Sequence, residues 1–282
     1  MKQDWTNEQH HASDYIGASM LRTFRQSPRL YWELYVGKTR PKPEPSEAMT
    51  FGSLVHTFIL EPEKRSDLYA VAPKCDRRTT IGKATWSDFC AMSTDKTVVT
   101  AEQWEQATIL ADAVHRHPLA SRLLEACETR EQSFTREHES TGLMLKCRPD
   151  ALGDGLMLDI KTTSSKSGGQ SASPRLFAST IANFEYHAQA AFYRSVVPYG
   201  DDVRFVFVAV SKEPPHECAL YEIDDDAMAA GRELCESSLS RIAALKDAPA
   251  SEWWADYERG VNVLSLPRWA SFSDEWTLSN GD

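Results

Sequence analysis

The chain has 282 residues, 41% of them apolar, 10% aromatic and 26% charged, with a net charge of −10. These proportions supply a sizeable core and exclude wholesale disorder, and the length suits one large domain or two small ones. The acidic balance argues against a nucleic-acid coat protein and against attachment to anionic membranes, although a local basic channel can sit inside an acidic total.

The opening MKQDWTNEQHHASDY is polar and acidic, unlike a secretory signal, and predicts a flexible terminus over residues 1–15. GASMLRTFRQSPRLYWELYV (17–36) reads as two short helices broken at Ser27-Pro28, where proline can open the second. A proline-rich loop, TRPKPEPSEA (39–48), leads to MTFGSLVHTFIL (49–60), whose Phe51, Leu54, Val55, Phe58 and Ile59 make one helical stripe. Residues 61–100 are mixed and include the basic patch KCDRRTTIGK (74–83). Its Lys74, Arg77, Arg78 and Lys83 suit either a solvated loop or electrostatic contact with nucleic acid. Helical spacing resumes over 101–118 and 119–128.

Strand patterns follow in EQSFTRE (131–137), GLMLKCRPDALG (142–153) and GLMLDIKTT (155–163), the last two joined by the turn signal Gly153-Asp154-Gly155. A Ser/Gly-rich loop (164–175), a helix (185–197), a continuous apolar strand RFVFVAVSK (204–212) and a long helix (224–246) complete the order, and 271–282 reads as a flexible tail. This sequence of elements predicts one mixed α/β domain over 1–282, with a central mixed sheet flanked by helices. No apolar run approaches the ~20 residues of a membrane helix, so a cytoplasmic protein without membrane contact is expected. The six cysteines have no C-x-x-C spacing, which disfavours zinc and iron–sulfur sites and favours reduced, mostly buried thiols. His10, His11, His115 and His117 fall in polar or helix-end stretches and read as exposed.

One stretch resists a purely structural reading. In GLMLDIKTT, alternation puts Leu156, Leu158 and Ile160 on one face and Met157, Asp159 and Lys161 on the other. Asp150, on the preceding strand, can close on Asp159, so two carboxylates and a lysine converge. That set suits a hard divalent cation and a phosphate substrate, with the lysine orienting an attacking water. A bare D-x-K is more often an ordinary cross-strand salt bridge, so the spacing alone does not decide for the metal.

Further motifs carry a resemblance. Pro149-Asp150 followed by Asp159-Ile160-Lys161 resembles the signature of the PD-(D/E)-x-K nucleases. Gly52-Ser53-Leu54-Val55-His56 is similar to the G-x-x-x-H helix of their RecB-type branch, and Gln189-Ala190-Ala191-Phe192-Tyr193 to its Q-A-x-x-Y helix. FGSLVHTFILEPE, KTVVTAE, CRPD, YHAQAAFY and SLPRWA together resemble, in order, the exonuclease VIII (RecE) type of nuclease domain over about 15–270.

The resemblance implies that His56, Asp150, Asp159 and the Ile160 carbonyl bind Mg²⁺, with Mn²⁺ as a substitute, and that Lys161 positions the water. It implies a catalytic role for Glu131, whose plain alternative is a solvated carboxylate at a strand end. Gln189 would support catalysis and, with Tyr193, touch the DNA backbone or the metal's surroundings; both could instead serve helix packing. Ser19, Arg22 and Arg148 are candidates for holding a terminal phosphate. The implied activity is Mg²⁺-dependent 5′→3′ exonuclease action on linear double-stranded DNA, leaving a 3′ single strand for phage-type recombination. Implied partners are a homotetrameric ring and a single-strand annealing protein. Related branches carry an iron–sulfur cluster, and Cys218 and Cys235 do not provide one. An endonuclease of the same fold, an inactive DNA-end-binding module and a small-phosphoester hydrolase stand as alternatives.

Overall fold

The computed structural model describes residues 1–165, 170–254 and 260–266. Its strands are β1 (Lys2–Gln3), β2 (Tyr69–Val71), β3 (Thr97–Val99), β4 (Cys127–Arg130), β5 (Ser133–Glu137), β6 (Met144–Cys147), β7 (Ala151–Gly153), β8 (Leu156–Thr163), β9 (Arg204–Ser211) and β10 (Cys218–Tyr221). Its α-helices are α1 (Asn7–Ala12), α2 (Ala18–Gln26), α3 (Pro28–Tyr31), α4 (Glu47–Leu60), α5 (Arg65–Leu68), α6 (Thr80–Met92), α7 (Ala101–Arg116), α8 (Pro118–Ala126), α9 (Pro174–Phe184), α10 (Tyr186–Val196) and α11 (Asp225–Ala244).

Local chemistry sets the helix starts. Ser27 caps α3 ahead of Pro28, and Ser46 caps α4. Thr100 and Gln103 close a reciprocal capping box on α7. Asp224 Oδ1 accepts from Ala227 N–H at 2.8 Å to open α11.

The five-stranded sheet runs β10-β9-β8-β7-β4. β8 and β9 are parallel and the other pairs antiparallel, so the sheet is mixed as expected. The alternation of β8 and β9 divides the interior in two. Met157, Phe205, Phe207 and Ala209 pack with α2, α10 and α11 on one face. Leu156, Leu158, Ile160, Val206, Val208 and Val210 pack with α4, α7 and α8 on the other. Phe58, edge-on to Trp104 at 4.8 Å, is among the largest fully buried side chains of the second layer. Removing such a ring typically costs about 3–5 kcal/mol.

Several elements differ from the sequence reading. The predicted strand 142–153 is two strands in two sheets. β6 belongs to the three-stranded sheet β1-β5-β6 and β7 to the central one, with Arg148-Pro149-Asp150 crossing between them. Proline has no N–H for a ladder, so the strand ends there. Glu131 does not start a strand: it occupies the turn between β4 and β5 with φ 46°. Residues 1–15 hold β1, which pairs with β5, and α1, whose His10 is buried rather than exposed. α9 occupies 174–184, which had no predicted element beyond the end of the loop. The basic patch leads into α6, with Lys74 on Glu102, Arg78 on Asp76 and Arg77 over Trp86. Residues 166–169 of the Ser/Gly loop, most of SLPRWA and the whole 271–282 tail lie outside the described residues. Among the described residues, no helix is long and apolar enough to cross a membrane.

Candidate metal centre

The site forms where the chain changes sheets. Glu131 leaves β4 with its N–H donating to the Asp150 carbonyl at 3.1 Å, so the two acidic residues are tied backbone to backbone. Asp150 enters β7, and its Oδ2 accepts from Ile160 N–H of β8 at 2.6 Å. His56 reaches in from α4: its Nε2–H donates to the Ile160 carbonyl at 2.9 Å, and its Nδ1 stands 3.5 Å from Asp150 Oδ1 and 4.0 Å from Glu131 Oε1. One ligand atom each from His56, Glu131 and Asp150 lies within 4.8 Å of the others.

The charges of this cluster are strongly coupled. Burial opposes a charge on His56, yet Asp150 and Glu131 push its pKa up to about 9. Burial and the like charge of Asp150 push Glu131 up to about 7. Asp150 stays below its ordinary range; burial works against ionisation, but His56, Lys161 and the Ile160 N–H outweigh it. Two carboxylates and an imidazole form a donor set suited to a divalent cation such as Mg²⁺ or Mn²⁺.

Asp159 and Lys161 lie on the other face of β8, where Asp159 is buried and Lys161 partly so. Asp159 is 2% exposed. Its Oδ2 is ion-paired with Lys161 Nζ, and its Oδ1 accepts from Gln189 Nε2 at 2.8 Å. Burial raises the Asp159 pKa to about 6, with Lys161 pulling against that rise. Burial draws the Lys161 ammonium down, but Asp159 and Asp150 raise it above its usual value. The Lys161 ammonium also lies 4.5 Å from the centroid of the Tyr186 ring.

The expected residues therefore separate into layers. His56 and Asp150 meet as expected, and Glu131 joins them more closely than Asp159 does. The Ile160 carbonyl is engaged by His56. Gln189 holds Asp159, and Tyr193, one turn on, is partly buried with its ring edge-on to Phe205. Burial raises the Tyr193 hydroxyl well above its usual pKa. Arg148 is not presented to a phosphate. Its Nε donates to Glu131 Oε2 at 3.0 Å, and its Nη1 to Ser133 Oγ at 3.0 Å and the Trp5 carbonyl at 3.3 Å. It holds Glu131 in place. Ser19 and Arg22 line a cavity of about 770 Å³ that also reaches Gln189 and Tyr193, with Arg22 over Phe184 at 5.3 Å. Sequence reasoning missed Tyr186, although its spacing of three and seven from Gln189 and Tyr193 puts all three on one helix face. Nothing in the local pattern pointed to the support that Ser133 and the Trp5 carbonyl give to Arg148.

Residues 17–254 match the family described as "PDDEXK-like domain of unknown function (DUF3799)". No curated protein matches the chain. A crystal structure named "Putative exonuclease", from Eubacterium rectale, covers 94% of this chain and 96% of its own at 15% identity, with a TM-score of 0.60. At that identity the likeness shows the fold. A second solved chain, SSO0001, covers 70% of this chain and 88% of its own at 19% identity; its TM-score of 0.29 carries no argument. The family match spans most of the sequence, and the chain belongs to the PDDEXK-like family DUF3799.

Proposed function

We propose that the chain is a divalent-metal-dependent nuclease that digests linear double-stranded DNA from its ends, 5′→3′, leaving a 3′ single strand. The observation that carries this reading is the meeting of His56, Glu131 and Asp150 beside the Asp159–Lys161 pair, on the PD and D-x-K segments of a PDDEXK-like domain. The name of the Eubacterium rectale protein and the motif resemblance to exonuclease VIII-type domains favour an exonuclease.

His56, Glu131 and Asp150 would hold Mg²⁺ or Mn²⁺, with Asp159 behind them. The bound cation would supply an acidified water and stabilise charge developing on the phosphate. The protein's own groups do the rest. Arg148 fixes the Glu131 carboxylate from the side away from His56, and His56 is steadied by the Ile160 carbonyl. Gln189 fixes Asp159, and Asp159 fixes the Lys161 ammonium. Lys161 orients the attacking water and offsets negative charge as the phosphate is attacked. A lysine held by both an aspartate and an aromatic face keeps that charge in place without a mobile side chain.

The wider reading includes a homotetrameric ring around the DNA and delivery of the 3′ strand to a single-strand annealing protein. The function is tested with linear duplex DNA labelled at one 5′ end and blocked at the other, in Mg²⁺ or EDTA, beside closed circular plasmid. Mg²⁺-dependent release of labelled mononucleotide by wild type and not by Lys161→Ala, with plasmid intact, is expected. Nicking of the plasmid would assign an endonuclease instead. A monomer that is nevertheless highly processive would rule out the ring.

A further inference from the structure

The turn between α9 and α10 is built on Glu185, whose left-handed backbone (φ 55°, ψ 37°) closes α9, its N–H donating to the Ala182 carbonyl at 3.2 Å. α2 grips this corner from the side: Arg25 Nε donates to Glu185 Oε2 at 3.0 Å, and Arg22 Nη2 to the Asn183 carbonyl at 3.4 Å. The corner so pinned presents Phe184 and Tyr186, whose rings stack with centroids 5.6 Å apart and planes 20° from parallel. Tyr186 is half-buried and flanks Lys161, whereas Phe184 is 48% exposed.

A lone exposed phenylalanine is unremarkable on a protein surface. This one stands one ring away from the ammonium of the D-x-K motif, in the same cavity as Gln189. That cavity is lined by two cation–ring pairs, Arg22 over Phe184 and Lys42 over Tyr35 at 5.7 Å, and by Tyr186, whose ring also carries the Lys161 ammonium. Alternating cations and rings is how proteins hold single-stranded nucleic acid, phosphates on the charges and bases on the π faces. Among the described residues, one other large exposed apolar side chain is aromatic, Tyr199, and it does not line this cavity.

We infer that Phe184, backed by Tyr186, is a stacking seat for the nucleobase of the terminal nucleotide, and that Arg22 and Arg25 act as positioning residues by holding the corner that carries it. The inference rests on the nuclease reading and adds its base-recognition element. The seat reads a π face and no hydrogen-bond pattern, so it takes any of the four bases. It also requires the terminal base to leave its pair, which makes a frayed or mismatched end the better substrate.

The test uses the full chain with Ca²⁺ in place of Mg²⁺ to separate binding from turnover. Duplex ends carry either a normal terminal nucleotide, a 2-aminopurine or an abasic residue. Wild type is expected to quench the 2-aminopurine and to bind normal ends about 5- to 150-fold more tightly than Phe184→Ala, the range alanine substitution gives for base–aromatic stacking. Phe184→Trp should retain both properties. On abasic ends wild type and Phe184→Ala should bind equally. Equal weakening of Phe184→Ala on normal and abasic ends would reduce Phe184 to a structural role and overturn the inference, as would wild-type binding without quenching. Failure of wild type to bind or cut any DNA end would overturn the nuclease reading itself, and the seat with it.

Discussion

Lys161→Met isolates the charge at the centre of the proposed site. The substitution keeps the length of the side chain and removes its ammonium, leaving Asp159 buried with Gln189 as its remaining donor. Breaking a buried ion pair from one side costs about 3–5 kcal/mol. The cost has a ceiling, because Asp159 can take up a proton instead of staying charged. The Asp159 pKa is already raised to about 6, so neutralising it at pH 7 costs about 1.4 kcal/mol relative to wild type. That ceiling places the expected loss at about 1.4 kcal/mol, or roughly 3–6 °C in Tm for a chain of this size. The double variant Asp159→Asn/Lys161→Met removes both charges, and Asn can still accept from Gln189. It should recover to within about 0.5 kcal/mol of wild type while remaining as inactive as the single variant. Urea denaturation at pH 7 measures the stabilities and the end-labelled duplex assay measures turnover. A single-variant loss of about 3 kcal/mol or more, or a double-variant loss equal to the sum of the two single ones, would refute the argument that the pair is coupled and that Asp159 takes up a proton.

Other predictions follow from the same contacts. Glu131→Gln should weaken Mn²⁺ binding by more than tenfold in titration calorimetry, since it removes one of the three grouped donors. Arg148→Lys, which loses the forked hold on Glu131, Ser133 and Trp5, should cost about 10- to 100-fold in the same measurement, the usual effect of removing a ligand's support. Burial first, then nearby Lys146, His11 and Arg148, lower the His10 pKa to about 3. The unfolded chain therefore takes up a proton at His10 below pH 6.5 that the folded one refuses, and this residue's contribution is lost as pH falls: about 2 kcal/mol between pH 6.5 and 5. His10→Gln should remove that part of the acid sensitivity in urea titrations. A Cβ at Gly231 would lie 2.3 Å from the His187 carbonyl, so Gly231→Ala should destabilise the protein by about 1–3 kcal/mol in the same denaturation despite the better helix propensity of alanine.

The legible parts of the fold are those in which side-chain period and burial agree. β8 and β9 read correctly because Leu156, Leu158 and Ile160 alternate against Met157, while β9 is buried on both faces and so is continuously apolar. α4 read correctly because its stripe faces a core. α6 was missed because its only buried residue is Gly82, leaving no stripe to find. β10 was missed because its four residues are uniformly half-buried and so show no alternation. The break between β6 and β7 was written in Pro149, but an apolar run on both sides of a proline looks like one strand until a second sheet is known.

The same reasoning explains why the chemistry was only partly legible. Asp159 and Lys161 announced themselves by interrupting an apolar strand, whereas His56 was legible only through the G-x-x-x-H resemblance. Glu131 occupies a turn with left-handed backbone, where a charged residue is unexceptional, and only the Asp150 carbonyl and Arg148 turn it inward. Arg148 reads as a phosphate candidate because a guanidinium suits phosphate geometry. Its partners are instead the nearest carboxylate and the carbonyl of Trp5, contributed from 143 positions away. That contact ties the amino-terminal segment to the geometry of the site. A segment whose sequence suggested a flexible end thus helps fix Glu131, so a variant lacking residues 1–6 should lose Mn²⁺ affinity even if its far-UV spectrum is unchanged. Retained wild-type affinity would show that Ser133 alone is enough to hold Arg148.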